Sequence, residues 1–193
     1  TLDRTSDGAG TIAHLPWEVV ARARIAGHEP IPRLEELLTQ LPQVCVNIDV
    51  KSAGAVTPLI ECIERCGAHD RVRIASFSDA RRRAVLAGLT RPVRSSPGQS
   101  RTTALWLAAH LPVLGSPLVA RLAHGIDAVQ IPERQGRLRV LTPRLLRVLH
   151  GAGLDVHVWT VNERADMERL LDLGVDGLIT DRADVLKLSL IHI

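Results

Sequence analysis

From Val44 onward, short apolar runs alternate with longer stretches whose apolar residues recur at helical spacing, a pattern that builds β/α units around a parallel sheet. The strands it predicts are Val44–Lys51, Val72–Phe77, Pro92–Ser96, Ala128–Ile131, Val156–Val161 and Gly177–Thr180. Helices are expected at about Thr57–Cys66, Ser78–Gly88 and Thr102–Leu111, from Thr142 to Gly151 or Gly153, and at Glu163–Leu173. Ser78 and Asp79 suit one helix start because a side-chain oxygen takes up a free N–H, and Pro143 behind Thr142 suits another because its fixed φ is already helical. Asp181 is placed to cap a last helix reaching about Leu186, and the stretch from Leu111 to Gly125 reads as irregular. Ahead of the first strand, Leu34–Leu41 reads as a helix behind the stiff Pro30-Ile31-Pro32 turn.

No strand is followed by the glycine-rich phosphate loop that a doubly wound nucleotide-binding sheet prefers. The expected fold class is therefore α/β, a (β/α)8 TIM barrel that is incomplete, with its first two strands missing and about six β/α units present. The 193 residues fit one domain but fall short of the ~250 that a full barrel usually takes. Thr1 opens inside a polar, turn-rich TLDRTSDGAGTIAHL segment that looks like the interior of a loop. At the other end LSLIHI follows a helix that has finished its amphipathic turn, and it looks like one frame of a sequencing adapter. The expected organisation is a partial barrel domain over residues 1–187 and a non-native tail over 188–193, in an incomplete gene product.

Composition narrows the partners. With 46% hydrophobic residues the chain can bury a sizeable core, yet no apolar run approaches the ~20 residues of a membrane span, so no integral membrane segment is expected. The net charge of +3 comes from arginines scattered along a chain without tyrosine, which argues against nucleic acid, where bases stack on aromatics between basic residues. Lys51 and Lys187 are the only lysines, and the first of them breaks an otherwise consistent use of arginine. Cys45, Cys62 and Cys66 form no disulfide-type framework and no zinc spacing; they read as small core residues, and a cytoplasmic location is expected. The sequence says nothing of oligomeric state.

In VCVNIDVK, residues 44–51, strand alternation sets Asn47, Asp49 and Lys51 on one face and Val46, Ile48 and Val50 on the other. The apolar face packs under helices, so the polar face points into the barrel, and a carboxylate and an ammonium fall at the C-terminal strand end where barrel active sites are built. Such a pair could be a self-neutralising ion pair, but a compact ammonium also serves phosphate as a point charge. In VHVWTVN, residues 156–162, His157 and Trp159 share a face. Trp159 can wall a pocket for a small polyol or alkyl group, and His157 reads as a satisfied interior histidine. Asn162 and Ser76 stand at the same rim; Ser76 lacks the glycines of a nucleophile elbow and reads as a pocket-lining hydroxyl.

These residues carry a resemblance. LDRTSDGAGTI, IPRLEELL, NIDVK, the SF pair at 76–77 and LTPRLLRVLHGAGLDVHVWTVNERADMERLLDLGVDGLITDRADVL occur in the order and spacing of the glycerophosphodiester phosphodiesterases, which the chain resembles over residues 2–187. The resemblance implies metal-dependent hydrolysis of a small-molecule glycerophosphodiester to sn-glycerol 3-phosphate and an alcohol such as choline or ethanolamine. It implies a divalent cation, magnesium or calcium, held by a Glu-x-Asp pair and a third carboxylate that Asp49 matches, although many members carry glutamate there. Lys51 matches the lysine that contacts the phosphate, and Trp159 a tryptophan lining the substrate pocket; Ser76 and Asn162 complete the expected substrate-binding set. The family's two catalytic histidines, in His-Arg-Gly and His-Asp motifs, and its Glu-x-Asp have no counterpart in this sequence. Phosphodiester cleavage needs a base for the attacking oxygen and an acid for the leaving one. The chain alone is therefore expected to be inactive, and the cation is expected only in the complete protein.

Two other readings use the same residues. A decarboxylase- or aldolase-type barrel could employ Lys51, since Asp49-Val50-Lys51 imitates an Asp-x-Lys catalytic strand, but the second aspartate of that motif falls on Gly54. A non-catalytic barrel that binds phosphodiesters is the alternative outside enzymes.

Overall fold

The computed structural model describes residues 1–112 and 115–190. Contacts divide the chain into two compact units, Thr1–Val44 with Arg65–Ala68, and Cys45–Glu64 with His69–Ile193.

The first unit holds a short helix α1 (Trp17–Val20), an antiparallel hairpin of β1 (Arg24–Ile25) and β2 (Glu29–Pro30), and helix α2 (Leu34–Gln40). Leu2, Val20 and Ala23 are buried together, with Leu15, Trp17 and Ile31 against them. The polar opening segment is organised by its carboxylates: Asp7 accepts the Arg24 N–H at 2.6 Å and Asp3 that of Gly10 at 3.1 Å. Glu36 takes up the Arg33 N–H at 3.0 Å at the start of α2.

The second unit runs β3 (Val46–Asp49), α3 (Val56–Cys66), β4 (Val72–Ala75), α4 (Asp79–Gly88), β5 (Arg94–Ser95), α5 (Gln99–Ala109), α6 (Gly115–Leu122) and β6 (Ala128–Pro132). It continues through a hairpin of β7 (Arg134–Gln135) and β8 (Leu138–Arg139) to α7 (Pro143–Gly151), β9 (Asp155–Trp159), α8 (Arg164–Leu173), β10 (Gly177–Leu178) and α9 (Ala183–Leu190). The predicted helix starts hold where a side chain can reach the first turn. Ser78 Oγ accepts the Arg81 N–H at 3.3 Å, and Thr142 Oγ1 that of Leu145 at 3.1 Å. Gly174 ends α8 with a left-handed φ of 94°, where a side chain would be strained.

All strands other than the two hairpins are parallel, in the orders β3-β4-β5 and β10-β9-β6. Between these sheets Asp127 donates its N–H to the Ser95 carbonyl at 2.9 Å while its carboxylate accepts the Ser95 N–H at 2.8 Å. Among the described residues β3 pairs only with β4 and β10 only with β9, so the sheet does not close. The core lies under the second sheet. Val129 and Ile131 of β6 and Val156 and Val158 of β9 meet Leu105, Val119, Leu145, Leu149, Met167 and Leu170 from the helices outside.

The strands expected from the apolar runs are all present; β6 runs one residue further than expected, to Pro132, and the others are shorter. Elements also form where none was expected, α1 and the β1–β2 hairpin among them. Helix α6 occupies the stretch read as irregular: Gly115, Ser116 and Pro117 sit in its first turn, where a missing N–H costs nothing, so they open a helix instead of excluding one. The β7–β8 hairpin forms in a polar segment that shows no alternation, around Gly136 at φ 59°. Asp181 is not the cap of the last helix, which begins at Ala183; its carboxylate instead receives Asn162 Nδ2 at 3.4 Å. Of the cysteines only Cys62 is a buried core residue, for Cys45 is exposed just before the edge strand β3. The last three residues of the expected non-native tail, 191–193, lie outside the described residues.

Candidate active site

Asp49 ends β3 and Lys51 follows two residues later, with Val50 between them buried to 2% exposure. Alternation therefore turns Asp49 and Lys51 to the same side, and the Lys51 ammonium binds Asp49 Oδ2 directly. Asp49 Oδ1 is buried and has no hydrogen-bond partner. The Lys51 side chain is 69% exposed, and its Nζ stands 5.1 Å from the centre of the Phe77 ring, beyond the end of β4. Phe77 in turn meets Trp159, the last residue of β9, edge to face, with ring centroids 6.5 Å apart and planes at 75°. One rim of strand ends thus gathers Asp49, Lys51, Phe77 and Trp159. A carboxylate holds an ammonium, and two rings stand beside it as an apolar wall.

The other two expected residues occupy different places. Ser76 is 4% exposed; its hydroxyl donates to the Val50 carbonyl at 2.8 Å and accepts the Ser78 N–H at 3.2 Å, bracing the ends of β3 and β4 below the rim. Asn162 is exposed after β9, where its Oδ1 accepts from Thr180 Oγ1 at 3.1 Å and from the Asp181 N–H at 3.0 Å. It joins the ends of β9 and β10.

Beneath the rim the inward face is polar. Gln130 of β6 donates Nε2 to Asn47 Oδ1 of β3 at 2.9 Å, and Arg73 of β4 reaches His157 and Asp155 of β9. His157 is held below the ordinary imidazole range, first by burial and then by the Arg73 cation; Asp155 opposes both. It is an interior histidine, as expected. The face of β3 expected to look into a closed interior is more open than that: Asn47 is exposed and the Asp49 side chain keeps 32% of its surface, because among the described residues no strand beyond β3 covers it.

A divalent cation takes six or more oxygen ligands from several groups. Among the described residues no cluster of three histidine, cysteine, aspartate or glutamate side chains could hold one. The free Oδ1 of Asp49 is a single donor on a carboxylate already bound to an ammonium. These residues do not by themselves fit the cation. Nor is Lys51 the desolvated lysine of a Schiff-base enzyme, since it is largely exposed and paired with Asp49. No helix among the described residues is long and apolar enough to cross a membrane.

Sequence reading missed Phe77, Arg73 and Gln130 as parts of this constellation. Phe77 alone carried a signal, as the one phenylalanine in the chain and at a strand end.

The fold is that of phosphodiesterase structures. A glycerophosphodiester phosphodiesterase of Agrobacterium tumefaciens is 20% identical and superposes with a TM-score of 0.70, over 99% of this chain and 78% of its own. A phosphodiesterase of Oleispira antarctica, solved with its product sn-glycerol-3-phosphate, is 16% identical at a TM-score of 0.72, over 98% and 76% of the two chains. Residues 1–185 match the model of the glycerophosphoryl diester phosphodiesterase family, and the chain belongs to it. A relative in Mycobacterium tuberculosis, "Probable glycerophosphodiester phosphodiesterase 2", is 48% identical over 180 residues, which are 93% of this chain and 67% of that protein. The family is one of phosphoric diester hydrolases.

Proposed function

We propose that this chain carries the phosphate-binding and alcohol-binding half of a glycerophosphodiester phosphodiesterase site. The observation that supports it is the Asp49–Lys51 pair at the end of β3, set beside Phe77 and Trp159. In this reading the substrate is a glycerophosphodiester, cleaved to sn-glycerol 3-phosphate and an alcohol. Lys51 meets a non-bridging phosphate oxygen and, as a cation, stabilises charge that grows there in the transition state. Asp49 keeps that ammonium in place, and its Oδ1 would be one oxygen ligand to a divalent cation, magnesium or calcium, that the described residues do not hold by themselves. The rings of Phe77 and Trp159 cover the carbon skeleton of the glycerol or the alcohol. Asn162 stands at the rim above β9 as a polar contact for hydroxyls, and Ser76 keeps the strand ends in register beneath. Residues 1–187 act as a partial barrel domain, without the tail 188–193.

The proton transfers are a separate matter. Among the described residues no hydrogen bond joins a histidine to Asp49 or Lys51, and in this reading the chain supplies neither the base nor the acid that cleavage requires. The chain binds the phosphodiester without turning it over.

Calorimetric titration with sn-glycerol 3-phosphate tests this. The chain should bind, and Lys51→Ala should weaken binding by about tenfold or more, the scale of one charge-assisted contact. Equal affinity of the chain and of Lys51→Ala would remove the basis of the proposal.

A further inference from the structure

Arg81 lies in the first turn of α4, where the positive end of the helix dipole disfavours a cation. Its neighbours have evident reasons to be there. Arg82 is buried, forms an ion pair with Asp79 and donates Nη1 to Ser95 Oγ at 3.0 Å, while Arg83 is exposed to solvent. Arg81 has no such partner. It forms no ion pair among the described residues; Nη1 donates to the Lys51 carbonyl at 2.6 Å and Nε to Ser76 Oγ at 3.4 Å. Both acceptors are neutral, and Nη2 is left with no hydrogen-bond partner among the described residues.

The charge balance at the rim gives this weight. Lys51 is bound to Asp49, so the pair together is neutral, whereas a phosphodiester is an anion. The guanidinium that remains uncompensated there is fixed by two bonds to the backbone and hydroxyl of the residues that position Lys51. Ser76 itself is held by the Val50 carbonyl and the Ser78 N–H, so the anchor is stiff. An arginine immobilised in this way loses little further freedom when its open edge takes an oxyanion.

We infer that Arg81 is an anion-binding residue of this site: Nη2 contacts a phosphate oxygen and supplies the net positive charge that Asp49 cancels on Lys51. The inference rests on the functional reading above and adds a residue to it.

The test is calorimetry of the 193-residue chain with sn-glycerol 3-phosphate and with inorganic phosphate, comparing Arg81→Met, Arg81→Lys and Lys51→Ala, each checked by circular dichroism. Arg81→Met should bind both anions about tenfold more weakly, and Arg81→Lys, which keeps the charge but has one nitrogen in place of the fork, should fall between it and the parent. Raising the salt concentration should weaken the parent more than Arg81→Met, because screening acts on the charge that the variant lacks. Should Arg81→Met melt early, Arg81→Gln keeps a donor for the Lys51 carbonyl without the charge, and it should show the same loss. Undiminished binding by the neutral variants, alongside a loss in Lys51→Ala, would overturn the role of Arg81 and leave the functional reading intact. A loss in Arg81→Met that leaves the salt dependence of the parent unchanged would make Arg81 a brace for the Lys51 backbone and overturn the anion contact. If the parent binds neither anion, both readings fall together.

Discussion

Arg73 on β4 crosses to His157 on β9, placing Nη1 at 3.2 Å from Nε2 and 3.3 Å from Nδ1 of the ring, while its Nη2 donates to Asp155 at 3.2 Å. The contact joins strands from the two parallel sheets beneath the rim that carries Lys51 and Trp159. It has a titration consequence. His157 is depressed by burial and, second, by the Arg73 cation, so Arg73→Met should raise its pKa toward the ordinary range. Ring-proton NMR titration reads this directly, and an unmoved midpoint would show that burial alone holds the ring neutral. The sign for stability follows. The unfolded histidine protonates near pH 6.5 and the folded one only lower, so stability is lost as the pH falls below ~6.5. The loss should be smaller in the variant.

Asp79 should be a main source of stability around the rim. Its side chain is 10% exposed and accepts from the Gly98 N–H at 3.0 Å and from Ser100 Oγ at 2.9 Å, besides pairing with Arg82. Burial pushes the carboxyl up, but these hydrogen bonds together outweigh it and the net shift is downward. Asp79→Asn should cost about 1–3 kcal/mol at neutral pH by urea unfolding. A depressed carboxyl contributes fully above its unfolded pKa of ~3.9 and loses that contribution as the pH falls through the folded value. The gap between parent and variant should therefore close below about pH 4.

Gly98 faces the same carboxylate at close quarters. A Cβ there would stand 2.6 Å from the Asp79 backbone nitrogen and 2.9 Å from its carboxyl. Gly98→Ala should destabilise by roughly 1–3 kcal/mol, since backbone and a pinned side chain cannot move aside. Gly54→Ala, with nothing within 4 Å of the added carbon, is the control and should melt within a degree or two of the parent.

Purified, the 193-residue chain should release no choline from glycerophosphocholine with magnesium present. A measured turnover above the uncatalysed rate would refute the reading that this chain binds without cleaving.

Much of the fold was legible in the sequence because apolar runs are long and periodic there. Val156 and Val158 are buried while His157 and Trp159, on the opposite face, are partly exposed, as alternation requires, and Thr142 caps α7 as its position foretells. Most strand lengths were overestimated because an apolar run continues past the paired residues, as at Phe77 beyond β4. Helix α6 was lost to its own opening, where Gly115 and Pro117 spell a loop to any reader without the tertiary frame. The site was legible in part. Asp49, Lys51 and Trp159 do come together, for strand ends of one rim converge. The commitment of the Ser76 hydroxyl to Val50 was not, because a serine at a strand end has the same local pattern whether open or pinned. Arg81 was invisible for another reason: in a chain so rich in arginine, only its bond to the Lys51 carbonyl sets it apart.

That scarcity of lysine has a practical side. Lys51 is largely exposed at the rim, and the other lysine side chain, Lys187, is exposed on α9. An amine-directed reagent therefore has two side chains and the N-terminal amine to choose from, and peptide mass mapping separates the three. Lys187 becomes an internal reference for the reactivity of Lys51, and the ratio of the two labels reports occupancy of the rim by any anion. The protein carries its own footprinting probe, with no engineered tag or chromophore.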